Sequence, residues 1–110
     1  MAKDSHPVLP STPTIADVQQ YIKATVAHRG FSHESVQDNF IMLTEELGEL
    51  AKALRKLNGV KVATDSTMTS VEEEVADVAW MLMCVCNKLG IDLESAIRAK
   101  EEKNKQRVWK

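Results

Sequence analysis

Acidic side chains recur three residues apart in two separate stretches of the chain. Glu46 and Glu49 form one pair, and Glu74 and Asp77 form the other. Residues three apart lie on the same side of a helix, so two packed helices could bring all four carboxylates together. Like charges about 5 Å apart repel by roughly 3 kcal/mol at an effective dielectric near 20. Such a cluster therefore needs protonated acids or a cation, and all-oxygen ligands favour Mg²⁺ or Mn²⁺.

The spacing of the acids allows two other interpretations. The carboxylates could belong to ordinary solvated helix faces, since Glu49 precedes Lys52 and Glu73 lies near a helix start. A di-iron site of the ferritin type would use Glu-x-x-His. The three histidines, His6, His28 and His33, do not follow a glutamate at that spacing, so the sequence argues against di-iron.

Basic residues dominate the end of the chain. Residues 98–110 carry six Lys or Arg against two Glu, a local net charge of +4. Lys100, Asn104 and Arg107 follow at steps of four and three, which predicts a shared helix face. Their charges and donors suit a phosphate chain, although a basic helix end also complements the helix dipole without any ligand.

Three capping-box patterns divide the chain into helices. They are Thr14 with Asp17, Ser35 with Asp38, and Ser70 with Glu73. With glycine stops, they predict helices over 15–28, 36–57, 71–89 and 92–107, after a flexible tail at 1–13. We expect residues 14–110 to form a single all-α domain, a four-helix bundle or a two-helix core with flanking helices.

Apolar residues place the predicted core and a predicted interface. Helix two carries a leucine stripe and helix three a valine–leucine stripe, and on both helices the acid pairs fall on the shoulder of the stripe. The second half of helix three is apolar all round, which predicts a homo-oligomer, tetramer or dimer, because a small bundle has little protein with which to bury such a helix. The alternative is a central helix wrapped by the other three. Gly48 inside helix two suggests a close approach by another backbone or a ligand, or else a tolerated neutral substitution. The residues concerned are Leu43, Leu47, Leu50, Leu54 and Leu57 on helix two, Val71, Val75, Val78, Leu82, Val85 and Leu89 for the stripe of helix three, and Trp80, Met81, Met83 and Cys84 for the interface.

Composition excludes several classes of protein. The chain has 110 residues with 44% hydrophobic and 5% aromatic residues, and no proline follows Pro13, which favours helices over a β-sandwich. A net charge of −2 argues against a general nucleic-acid binder. Neither a membrane-spanning run nor a signal peptide is evident. Cys84 and Cys86 cannot bridge locally on a helix, so we expect a reduced, cytoplasmic protein.

The motifs Glu45-Glu46-Leu47-Gly48-Glu49 and Glu74-Val75-Ala76-Asp77 resemble the EExxE…ExxD signature of MazG-like nucleoside triphosphate pyrophosphohydrolases. The tail from Lys100 to Arg107 is similar to the KxxxNxxR of that family. The resemblance covers about residues 15–109. It implies the all-α NTP pyrophosphatase fold, assembled as an oligomer, and Mg²⁺-dependent conversion of a nucleoside triphosphate to monophosphate and pyrophosphate.

The resemblance also implies roles for individual residues. It places metal ligands at Glu46, Glu49, Glu74 and Asp77, and phosphate contacts at Lys100, Asn104 and Arg107. Glu45 or Glu49 would hold or deprotonate the attacking water, with Mn²⁺ as a possible substitute for Mg²⁺. Where some members stack the base on a Trp, this chain offers Phe31, and Trp109 stands where many have a Tyr directly after the Arg. Base selection is therefore left open, with Phe31, His33 and Asn39 as candidates.

Two rival functions are also compatible with these motifs. A phosphoribosyl-ATP pyrophosphohydrolase would share the acids without the basic tail, and a non-catalytic oligomerisation or regulatory module would bind no metal.

The connection between helices two and three determines whether their acids can meet. In a plain antiparallel hairpin, Glu46 and Glu74 would lie roughly 10 Å out of register. Either residues 58–69 fold back along helix two, or the acids of two subunits meet. We expect the fold-back, with both acids of one chain within about 12 Å.

Overall fold

Four helices make up the regular structure in the computed structural model, which describes residues 6–59 and 70–109. They are α1 (Ile15–His28), α2 (Val36–Leu57), α3 (Val71–Leu89) and α4 (Leu93–Lys105), and these residues contain no strand. The all-helical prediction is confirmed, with the first three helices at their predicted bounds. Helix four was predicted too long, because Asp92 is its N-cap and Gln106 its C-cap.

Side-chain caps define where the helices begin. Thr14 and Asp17 exchange two hydrogen bonds at the start of α1, and Ser35 and Asp38 do the same at α2. At α3 the Glu73 amide donates to the Ser70 hydroxyl at 3.1 Å. At α4 the Asp92 carboxylate accepts from both the amide and the hydroxyl of Ser95, and these bonds lower its pKa. Each cap satisfies amides that a helix leaves unpaired.

The helices fall into two compact units, and α3 contributes to both. One unit comprises residues 1–33 and 86–110, and the other comprises residues 34–85. The first unit contains α1, the end of α3 and α4, and the second contains α2 and most of α3.

A buried glutamine organises the first unit. Gln19 on α1 is only 6% exposed. Its Nε2 donates to Asn87 Oδ1 at 3.1 Å and to the Ile91 carbonyl at 2.9 Å, while its Oε1 accepts from the Leu93 amide at 2.7 Å. The Asn87 amide group returns a bond to the Gln19 carbonyl at 3.0 Å. The side chain thus ties α1 to the turn between α3 and α4.

In the second unit the buried faces are rotated from the predicted ones. On α2 the inward residues include Asn39, Glu46 and Ala53, whereas Leu47 and Leu54 are exposed. On α3 Glu74 and Met81 are buried, whereas Val75 and Leu82 are exposed. Glu74 therefore lies on the inward face of α3 rather than on its shoulder, whereas Glu46 is half-buried and Glu49 and Asp77 are exposed. The leucine stripe of α2 is wider than the face that one chain can cover, so part of it remains at the surface.

The predicted interface on helix three needs the same correction. Met81 and Cys84 are buried within one chain, and Trp80 and Met83 are half-buried. These residues consequently give no argument for a partner subunit, since one chain already covers most of them. Burial raises the pKa of the Cys86 thiol, and Cys84 and Cys86 form no disulfide.

Three further expectations have simple outcomes. No helix in the described parts of the chain is long and apolar enough to cross a membrane. A Cβ built on Gly48 would meet nothing within 4 Å, so no part of the described chain approaches this glycine closely. The predicted fold-back of residues 58–69 lies largely outside the described residues.

Candidate metal centre

Three carboxylates from α2 and α3 meet within the second unit. Glu46, Glu74 and Asp77 each present a carboxylate oxygen, and these oxygens lie within 4.8 Å of one another. The expectation that Glu46 and Glu74 of one chain approach each other is therefore confirmed. Their role as metal ligands stays a prediction.

The three acids grade from the interior to the surface. Glu74 is 4% exposed, Glu46 is half-buried and Asp77 is exposed. Burial raises the pKa of Glu46, and the nearby charges of Asp77 and Glu74 and a hydrogen bond with Glu74 raise it further. The cluster thus brings three acids together, and its outermost member, Asp77, is open to solvent.

This donor set fits a hard divalent cation. Carboxylate oxygens are the preferred ligands of Mg²⁺ and Mn²⁺. A cation would offset two of the causes that raise the pKa of Glu46, because it would coordinate the half-buried carboxylate and counter the charges of the neighbouring acids. The described residues around the cluster could supply this ion with oxygen ligands from two helices.

Glu49 and Glu45 lie beside the cluster without joining it. The charge of Glu49 contributes to raising the pKa of Glu46, but Glu49 is not one of the three acids whose oxygens converge. Both Glu45 and Glu49 are exposed. Neither the ligand role of Glu49 nor the water-activating role of either residue is tested by this geometry.

The predicted phosphate-binding residues belong to the first unit. Lys100 and Asn104 are one turn apart on α4, with Lys100 exposed and Asn104 half-buried. Arg107 lies beyond the helix, in the turn where its amide donates to the Asn104 carbonyl at 3.1 Å. The predicted continuous helix face is therefore wrong for Arg107. Its guanidinium carbon lies 5.1 Å from the ring centroid of Trp109, a cation–π distance.

The three candidates for base recognition have different surroundings. Phe31 and His33 are exposed in the segment between α1 and α2. Asn39 is 4% exposed on α2, and its Oδ1 has no hydrogen-bond partner in the described part of the chain. A buried acceptor without a partner is uncommon in folded proteins.

Two features were not anticipated from the sequence. The burial of Glu74 was missed because the apolar stripes, rather than the acids, were used to locate the core. The Gln19 clamp was missed as well. A polar residue between Ile15, Val18 and Ile22 on an apolar face was the available signal.

The fold and the acid cluster together define an all-helical protein with a carboxylate site suited to a divalent metal. Residues 31–109 match the family model of the MazG nucleotide pyrophosphohydrolase domain. The chain therefore belongs to this family, and the resemblance noted in its motifs is confirmed.

Three relatives illustrate the likeness. The uncharacterised protein YpjD from Bacillus subtilis is 36% identical over 88 residues, which is 78% of each chain. Its crystal structure superposes with a TM-score of 0.75 at 31% identity, covering 90% of this chain and 100% of that one. The MazG-like pyrophosphohydrolase of cyanophage S-2L, solved with dGDP and three catalytic Mn²⁺ ions per active site, gives a TM-score of 0.68. That match has 30% identity and covers 92% of this chain and 87% of the phage chain.

The third relative is a longer protein. The dATP/dGTP diphosphohydrolase of Salmonella phage PMBT28 is 33% identical over 99 residues, covering 90% of this chain. The match spans 29% of the phage protein, so most of that relative has no counterpart here.

Proposed function

We propose that this protein hydrolyses a nucleoside triphosphate between the α- and β-phosphates in a Mg²⁺-dependent reaction, giving a nucleoside monophosphate and pyrophosphate. The convergence of Glu46, Glu74 and Asp77 in a protein of this family carries the proposal. The cyanophage relative, with a nucleotide and Mn²⁺ in its active site, supports both the substrate class and the type of cofactor.

The acids have distinct roles in this proposal. Glu46, Glu74 and Asp77 bind the metal, and Glu49 completes the ligand set from the adjacent turn of α2. When bound, Mg²⁺ supplies positive charge that stabilises the phosphate oxygens and the leaving group. Glu45 or Glu49, both exposed, holds the attacking water and accepts its proton.

The basic end of the chain contributes the second half of the proposal. Lys100, Asn104 and Arg107 would bind the outer phosphates, where negative charge accumulates as the bond breaks. Several such donors would stabilise pyrophosphate as the leaving group more than they would stabilise a single terminal phosphate. The cation–π contact between Arg107 and Trp109 would be exchanged for a phosphate contact on binding.

Product analysis in ¹⁸O-labelled water tests the assignment of the bond. With Mg²⁺ and a panel of nucleoside triphosphates, we expect pyrophosphate and a monophosphate that carries the label. Glu49→Gln should lower kcat by about a hundredfold or more, whereas Glu72→Gln, an exposed acid on α3, should match the wild type. Release of orthophosphate and a nucleoside diphosphate would contradict the proposal. Turnover of phosphoribosyl-ATP alone would favour the rival enzyme, and absence of metal binding would favour a non-catalytic module.

We also propose that two copies of the chain associate through the outer face of α2. Phe40, Leu47 and Leu54 are 57%, 47% and 40% exposed and recur every seven residues. Thr44 and Ala51, also exposed, lie between them, so the face follows the alternating steps of four and three that typify helix–helix seams. This seam, residues 40, 44, 47, 51 and 54, contains no charge.

The seam and the proposed active site can function together. At about 100° per residue, Glu45 and Glu49 lie roughly 160° around α2 from the middle of the seam. Gly48 borders the seam, and no described atom would meet a Cβ there within 4 Å, so a second helix could pack closely at this point. A second copy is thus accommodated without covering the acids. A cytoplasmic location remains part of the proposal and is consistent with two cysteines that form no disulfide.

A further inference from the structure

We infer that Asn39 is the residue that distinguishes the nucleobase of the substrate. This inference rests on the proposed hydrolysis of a nucleoside triphosphate and adds to it the residue that contacts the base. Its basis is the side-chain amide of Asn39, whose oxygen is buried and lacks a hydrogen-bond partner among the described residues.

The state of this amide indicates a missing ligand. Asn39 is 4% exposed, and its backbone amide is already bonded to the Ser35 carbonyl at 3.1 Å. The Oδ1 atom is buried and receives no hydrogen bond from the described residues. Because an unpaired buried acceptor lowers stability, a partner from outside the chain would stabilise it. A ligand that presents an N–H group would provide the missing donor.

Helix geometry connects this amide to the metal cluster. Asn39 and Glu46 are two turns apart on α2, so they share one face and lie about 10 Å apart along the axis. Both are turned inward, one buried and the other half-buried. A nucleotide has a similar length from its phosphates to the edge of its base. A substrate whose phosphates are held at Glu46 could therefore place its base beside Asn39.

The chemistry of the amide matches a base edge. Asn offers an acceptor and a donor side by side, and each nucleobase carries an N–H next to an acceptor. Pairs of this type give much of the base discrimination in nucleic-acid recognition. Ribose hydroxyls could also donate to Oδ1, so the experiment must separate base from sugar.

Steady-state kinetics with a base-free substrate tests the inference. The wild type and Asn39→Leu are compared with dATP, dGTP, dCTP and dTTP, and with 2′-deoxyribose 5′-triphosphate, which has no base. For the wild type we expect the best nucleotide to exceed the base-free triphosphate in kcat/KM. In Asn39→Leu this ratio should fall about tenfold, the loss expected for one or two hydrogen bonds. Gln37→Leu, an exposed position on the same helix, is the matched control and should keep the wild-type ratio.

A stability measurement excludes a merely structural role. Leucine has the same branched skeleton as asparagine and removes the unpaired acceptor, so the melting temperature of ligand-free Asn39→Leu should equal or exceed that of the wild type. A folded variant that keeps the wild-type ratio would overturn the inference.

A second variant keeps the test decisive if the first does not fold. Asn39→Asp replaces the donor by a second acceptor, which matches the paired N1–H and N2–H donors of guanine. We expect its relative kcat/KM to shift toward dGTP, and an unchanged order of the four bases would refute the role of Asn39. If the wild type hydrolyses no triphosphate, the proposed function itself fails, whereas wild-type turnover with unaltered variants rejects only the assignment of Asn39.

Discussion

The half-buried carboxylate of Glu46 makes the stability of the metal-free protein depend on pH. Burial and neighbouring acids raise the pKa of Glu46 above its ordinary value of 4.5. Between that value and the raised one, the folded protein binds more protons than the unfolded chain. The free energy of unfolding therefore falls as pH rises through this interval and levels off above it.

Thermal melts in chelator across pH 4 to 8 would measure this effect. We expect the melting temperature of the wild type to decline as the pH rises above 4.5. We expect Glu46→Gln to flatten that part of the profile. Adding Mg²⁺ at pH 7 should raise the melting temperature of the wild type and leave Glu46→Gln nearly unchanged. A wild-type melting temperature that increases over this interval in chelator would contradict the argument.

Glu74 provides a second test at the same scale. It is the most buried acid of the cluster. Its carboxylate therefore has the least contact with water and gains the most from a bound cation. We expect Glu74→Gln to raise the Kd for Mg²⁺ or Mn²⁺ at least tenfold in isothermal titration calorimetry. The control is Glu73→Gln, which changes an exposed acid one residue away and should bind metal as the wild type does.

At the scale of elements, the Gln19 clamp predicts where the first unit is most sensitive. Gln19→Leu removes three part-buried side-chain hydrogen bonds, to Asn87, Ile91 and Leu93, and leaves their partner groups unpaired. We expect a loss of about 2–4 kcal/mol in the free energy of unfolding, measured by urea denaturation. Gln20→Leu, at the exposed neighbouring position, should change it by less than about 0.5 kcal/mol.

Helix boundaries could be predicted from the sequence because they depend on local chemistry. Thr14, Ser35 and Asp92 bond to amides within three residues, and such bonds form wherever the chain continues as a helix. The inward faces could not be predicted in the same way. Leu47 and Glu46 are neighbours on α2, and which one turns inward depends on what α3 offers opposite. Hydrophobicity favoured the leucine, whereas the structure places the acid next to Glu74.

The meeting of the acids was partly predictable from the sequence. Their spacing indicated that acids of α2 and α3 could belong together, although solvated helix faces would show the same spacing, and Glu46, Glu74 and Asp77 do converge. The position of Arg107 was not predictable, because the end of α4 is determined by where its last carbonyls find partners. Here the amides of Gln106 and Arg107 donate to the carbonyls of Lys103 and Asn104 and end the helix. The Arg107 guanidinium then lies over the Trp109 ring.

For the whole molecule, self-association through α2 can be tested by mass. The chain has a mass of 12.3 kDa, and light scattering should give a multiple of it for the wild type. Leu47→Glu places a charge in the centre of the seam, where a second copy would desolvate it, and should shift the mass toward the monomer. Val8→Glu also removes an exposed apolar residue, one that is 84% exposed in the N-terminal segment, and should leave the mass unchanged. A monomeric wild type would reject the proposed dimer.

The burial of Glu74 beside Glu46 also has an evolutionary consequence. A buried charged group costs stability because it loses hydration, and neighbouring like charges add repulsion, so replacing these acids by uncharged residues should stabilise the metal-free fold. Random variants of this chain would include such replacements. Selection for thermostability alone should therefore accumulate Leu, Met or Gln at positions 46 and 74, whereas selection that also requires turnover should keep both glutamates. Sequencing a mutant library after each regime would distinguish residues that are retained because they stabilise the fold from residues that are retained for turnover although they destabilise it.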